Sequence, residues 1–255
     1  MALAAIFTIL VWWGSTQALR WLVRIPSRWV LNGVALALFA ASLTVAHLIS
    51  GEKDVAGVYM GFAAGIGLWA AHEITFLSGT VVGFEVKVRG TGLLSRTYAA
   101  VCAILWHELV LIATLVGLSV LFWSAANPIP LCTFALLYVM RASAKVNLFL
   151  GARNLCTEFL PAHVAHLAKH FRKAPLNPLF GFSVLAGTMA SAFLLRAALD
   201  PTAEPASAAF AALLAMLTAL GTLEHWLMLT PLSPLSLWSS QPTRVTLARP
   251  LGAAG

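Results

Sequence analysis

The sequence is short of charge. Of its 255 residues only 10% are Asp, Glu, Lys or Arg, against about 25% in an average soluble domain. A chain so poor in charge cannot cover a globule with a water-loving surface, which excludes a soluble enzyme. Acidic residues are scarcer still, with 9 Asp and Glu against 16 Lys and Arg, for a net charge of +7. Cysteine is limited to Cys102, Cys132 and Cys156. That is an odd number without a CxxC spacing, so neither a disulfide framework nor a thiolate metal site is expected. There is no glycine-rich phosphate loop, no internal repeat and no low-complexity tract. No segment is long or polar enough to form a separate soluble domain, so residues 1–255 read as one transmembrane unit.

What is present is hydrophobic length. The chain is 60% apolar, with a mean hydropathy of +0.87. A membrane span needs about 20 apolar residues. Runs of that kind cover residues 2–21, 30–49, 55–77, 97–123, 128–150, 182–199 and 206–229. Ser15, Thr16 and Gln17 interrupt the first, which also lacks the basic start and small-residue cleavage site of a signal peptide. The sequence therefore predicts an all-α, polytopic membrane protein of seven helices. Gly57, Gly61 and Gly65 make a small-residue ridge on the third, where a neighbouring backbone can approach closely.

The cations alternate from link to link. Arg20, Arg24 and Arg28 follow the first helix, Lys87, Arg89 and Arg96 the third, Arg153, Lys169, Arg172 and Lys173 the fifth, and Arg244 and Arg249 the seventh. The remaining links hold only Lys53 and Arg196, beside Glu52, Asp54, Asp200 and Glu204. The positive-inside rule then gives a periplasmic N-terminus and a cytoplasmic C-terminus, which requires an odd number of spans. The positive charge is thus explained by anionic lipid and not by nucleic acid.

The one sizeable non-membrane element is the loop at about 151–181. Residues 158–171 read as an amphipathic helix in the headgroup plane, with Leu160, Val164, Leu167 and Phe171 on one side. Glu158 opens it, and His163, His166 and His170 share a face bordering the apolar one.

Ionisable side chains inside the hydrocarbon are costly and usually functional. Here they come as adjacent pairs, His72-Glu73, His107-Glu108 and Glu224-His225, together with Arg141, Lys145 and Asn147 on the fifth helix. At about 1.5 Å per residue, His72 lies about 7 Å from the basic end of its span, and Glu224 and His225 about 8 Å. Lys145 lies about 7 Å in, Arg141 about 14 Å and His107 about 15 Å, near the midplane. If these helices are neighbours, the groups form one polar cluster. Three glutamates would face two cations there, leaving one negative charge for a proton, a divalent metal or a magnesium-bearing pigment to balance. HExxH is absent, as are the Glu-x-x-His pairs of bundle di-iron proteins.

Several stretches carry a resemblance. Arg141-Ala-Ser-Ala-Lys145-Val-Asn147-Leu-Phe-Leu-Gly151-Ala-Arg-Asn154 runs on through Glu158-Phe-Leu-Pro161-Ala-His163 to Asn177-Pro-Leu-Phe180. With His72-Glu73, Trp106-His107-Glu108-Leu109 and Leu223-Glu224-His225-Trp226, this is similar to the photosynthetic complex assembly protein 2 family, the PuhE type of purple phototrophic bacteria. Cys156-Thr157 and the link 82–92 depart from the family pattern. The resemblance implies an inner-membrane protein of anoxygenic phototrophs, similar to ones encoded beside the reaction-centre H subunit. Its partners would be reaction-centre or light-harvesting subunits and pigment-synthesis enzymes. Two functions follow as expectations. One is an assembly or pigment-handling factor that holds bacteriochlorophyll or a precursor through His107, His72 or His225. The other is a non-haem-iron membrane enzyme acting on a pigment or isoprenoid, with the six span His and Glu residues as ligands. A transporter is disfavoured, because repeat symmetry and paired broken spans are missing.

Overall fold

In the computed structural model the described residues are 2–87, 90, 92–155, 157 and 160–230. Seven helices long and apolar enough to cross a membrane follow one another. They are α1 (Ala2–Leu22), α2 (Arg28–Leu48), α3 (Val55–Leu77), α4 (Leu93–Leu121), α5 (Ile129–Leu150), α6 (Pro178–Ala198) and α7 (Pro205–Leu227). No strand occurs among the described residues, and only an isolated bridge joins Ala152 to Lys173. The protein is an all-helical, multi-pass membrane protein, as the hydropathy predicts.

The helix starts follow local chemistry. Ser27 caps α2 by accepting from the Val30 amide, Asp54 caps α3 through Gly57, and Asn177 caps α6 through Leu179 and Phe180. Proline occupies the first turn of α5, α6 and α7, where its missing N–H costs no hydrogen bond.

α3 is the central post, packed against α1, α2, α4, α5 and α7. Its glycine ridge faces α5. A Cβ at Gly61 would lie 2.4 Å from Ile129 Cγ2, and one at Gly65 2.7 Å from Thr133 Cβ. Close backbone approach, and not loose packing, is therefore what the ridge provides. α6 leans on α7 and turns Phe182, Leu185, Met189 and Phe193 outward. Such an apolar outer wall needs lipid as its solvent.

The links fall at two ends. At one end Arg28 of α2 meets His163, Lys169 pairs with Glu85, and the Asn154 amide bonds to the Met228 carbonyl. At the other end the Asn127 amide bonds to the Ser50 carbonyl. The first is the basic end anticipated from the link charges.

The loop between α5 and α6 differs from the expected helix 158–171. A 3-10 helix, Ala165–His170, takes its place among the described residues, and Glu158 and Cys156 lie outside them. Val164 and Leu167 are buried, and they pack with Phe76, Val82 and Ala103. The apolar side of this segment thus docks on the α3–α4 connection and not on lipid headgroups. Full burial against protein removes more apolar surface from water than a half-submerged helix would.

Candidate functional site

The costly side chains converge. Arg141 and Lys145 stand one turn apart on α5 and reach different helices. Arg141 Nη2 lies 3.7 Å from Glu73 Oε2 on α3, and Lys145 Nζ donates to Glu108 Oε1 on α4 at 2.5 Å. Lys145 also sits 5.9 Å above the Phe76 ring. Glu224 of α7 and Glu108 add their fields at Arg141. The Arg141 side chain as a whole keeps 42% of its surface accessible.

Two polar atoms here have no partner. Glu73 Oε1 and His107 Nε2 are both buried and unbonded. The His107 imidazole is 1% exposed and leans on Phe76, with ring centroids 4.3 Å apart. His72, by contrast, is engaged. Its Nε2 meets Thr114 Oγ1 at 3.0 Å, and Phe39 and Phe134 present their edges to its ring.

His107 is tied by its backbone to the α3–α4 connection. Its amide donates to the Val82 carbonyl, and the Phe84 amide donates to the Cys102 carbonyl. The α3–α4 connection therefore runs in against α4. Gly83 permits this, since a Cβ there would lie 2.2 Å from the Cys102 oxygen. α4 has 29 residues, more than the roughly 20 that span the hydrocarbon.

His225 belongs to a second network. Its Nδ1 donates to the Gly221 carbonyl at 2.8 Å and its Nε2 meets Ser143 Oγ at 3.0 Å. Ser143 bonds Ser183, and Asn147 donates to the Ser143 carbonyl and to Ser183 Oγ. Asn177 donates to Asn147 Oδ1 and to the Gly151 carbonyl. Asn147 is fully buried, and it ties α5, α6 and the loop together; it pairs no charge.

The profile of a family described as "Protein of unknown function (DUF3623)" matches residues 1–245. The chain belongs to the DUF3623 family. It is also 37% identical over 247 residues to an "Uncharacterized 30.4 kDa protein in puhA 5'region" of Rhodobacter capsulatus, covering 93% of this chain and 89% of that one. No solved structure matches.

The family match covers both networks, and the geometry limits what this DUF3623 chain can hold. Among the described residues no three His, Cys, Asp or Glu side chains come together as a metal site. The iron centre imagined from His72, Glu73, His107, Glu108, Glu224 and His225 is therefore not assembled. An axial ligand to a tetrapyrrole needs a free imidazole nitrogen facing open space. His72 and His225 have their Nε2 atoms occupied, and the unbonded Nε2 of His107 is buried.

Of the loop histidines, His163 accepts from Arg28 at 3.3 Å and His166 is exposed. His170 is half-buried, and burial together with the Lys169 charge holds its imidazole below the usual value. Lys169, bonded to Glu85, holds that carboxyl below the usual carboxylate range.

Thr114, Ser143 and Ser183 escaped the sequence reading, because hydroxyls in apolar helices usually bond their own backbone. The four-residue spacing of Ser143 and Asn147 was the available signal.

Proposed function

We propose that this protein is a PuhE-type membrane factor for the assembly of a bacterial photosynthetic complex, working through protein contacts and not as a resident pigment carrier. The observation that carries the reading is the near full-length relationship to the protein of the puhA 5' region in Rhodobacter capsulatus. The geometry adds the preference for contacts, since the Nε2 atoms of His72 and His225 are already engaged and the unbonded Nε2 of His107 is buried. The bundle would sit in the bacterial inner membrane, with its basic end and C-terminus cytoplasmic. That end presents the loops of the α3–α4 and α5–α6 connections to reaction-centre or light-harvesting subunits. Arg141, half-buried and backed by Glu73 and Glu224, offers a polar contact to a partner helix in the membrane.

Deletion of the gene in a phototrophic host, followed by absorption spectra of isolated membranes, tests this. The expected result is several-fold less assembled complex with pigment synthesis intact, restored by the wild-type gene. Normal complex levels would sink the proposal. Accumulation of a specific pigment precursor would instead favour an enzyme and send the search for ligands elsewhere in the chain.

A further inference from the structure

A cleft of about 310 Å³ opens at the basic end, lined by Val86, Arg96, Ala99, Phe149, Lys169 and His170. It is built from the α3–α4 connection, the first turns of α4, the last turn of α5 and the 3-10 helix. Its walls are of two kinds. Arg96, Lys169 and His170 supply N–H donors, while Val86, Ala99 and Phe149 are apolar.

Arg96 is the informative residue. Its guanidinium lies 5.3 Å above the Phe149 ring, and among the described residues no carboxylate is within ion-pair distance of it. Stacking on an aromatic face leaves the in-plane N–H fork of an arginine free for an oxyanion. Gly92 gives α4 no side-chain cap, so the positive end of that helix adds to the field. Lys169 already shares its charge with Glu85, a carboxylate that an incoming anion would have to displace.

We propose that this cleft is a binding site for the phosphate headgroup of an anionic phospholipid. Arg96 and Lys169 hold the phosphate oxygens, and His170 donates from the side. The apolar wall takes the glycerol and the first acyl carbons. A free phosphate would leave that wall unused, whereas the cleft lies at the ends of two spans, where headgroups are found. The volume is at the lower end of the range for small-molecule sites. None of this depends on the assembly role.

The test uses the full-length protein in mild detergent micelles, titrated with phosphatidylglycerol, phosphatidylcholine or inorganic phosphate. The readouts are the thermal midpoint and lipid retention in native mass spectrometry. Phosphatidylglycerol should raise the midpoint and remain bound one-to-one. Arg96→Gln and Lys169→Gln should each weaken its apparent affinity about tenfold, and Arg196→Gln at the opposite end should leave it unchanged. Glu85→Gln is the decisive variant, because it removes an ion pair yet should tighten lipid binding by freeing Lys169. If it weakens binding as Lys169→Gln does, the effect is structural and the proposal fails. It also fails if phosphatidylcholine binds equally well, or if Arg96→Gln/Lys169→Gln binds phosphatidylglycerol like the wild type. Inorganic phosphate giving the same shift with the same sensitivity to both variants would make this a small-anion site and overturn the lipid assignment.

Discussion

Two polar regions share one helix and differ in how fully they are bonded. Arg141 and Lys145 on α5 meet Glu73 and Glu108, while Ser143 and Asn147, two residues away along the chain, meet His225, Ser183 and Asn177. Two residues turn an α-helix by about 200°, so α5 presents charges on one side and hydroxyl and amide groups on the other. The second region is saturated: both nitrogens of His225 and both side-chain polar atoms of Asn147 have partners. The first is not, for Glu73 Oε1 and His107 Nε2 are buried and unbonded, and Arg141 is partly open. Saturated networks rigidify a fold. Unsaturated ones hold interactions in reserve, and unpaired buried groups call for a functional explanation.

The contrast can be broken most forcefully at Arg141. Arg141→Ala strands Glu73 and Glu224 without their cation, and a cost of about 3–5 kcal/mol is expected from unfolding in micelles. Adding Glu73→Gln should recover part of it; no recovery would show that the 3.7 Å pair is not coupled. Next comes Asn147→Leu, which removes the hydrogen bonds from Asn147 to the Ser143 carbonyl and Ser183 and the one it accepts from Asn177, and should cost about 2 kcal/mol. Complex assembly per folded molecule should be unaffected by it. The sharper contrast is His107→Leu. No side-chain hydrogen bond is lost, so stability should stay within about 1 kcal/mol of wild type, while complex assembly in the host falls. A cost equal to that of Asn147→Leu would mean that the unbonded nitrogen has a structural partner after all.

The smallest effect concerns pH. His170 and Glu85 are both held below their ordinary values of 6.5 and 4.5. In each case the unfolded chain takes up the proton first, so the associated stability is present above the ordinary value and is lost as pH falls below it. His170→Gln should flatten the slope of the thermal midpoint below pH 6.5, and Glu85→Gln the slope below pH 4.5.

Seven spans were legible because lipid imposes a length and an apolar content that Leu, Val, Ala and Phe runs announce directly. The basic end was legible from Arg28, Lys169 and their neighbours for a similar reason. The paired sites could be named as His-Glu dipeptides, but not connected. Hydropathy carries no information on which helices touch, so Glu73 to Arg141 and Glu108 to Lys145 appear only in three dimensions. The split between His225 and the other two histidines was equally hidden, as it depends on Ser143 facing α7. Helical periodicity over 158–171 suggested a surface helix, yet Val164 and Leu167 find a better burial site against Val82 and Ala103.

The threading of the α3–α4 connection onto α4 has a mechanical meaning. The Val82 carbonyl and the Phe84 amide clasp the backbone of α4 itself, at His107 and at Cys102. A pull on this connection is thus passed to the His107 turn without any side chain in between. The basic end and the turn that carries the unbonded imidazole are therefore joined backbone to backbone, with Gly83 at the point of closest approach.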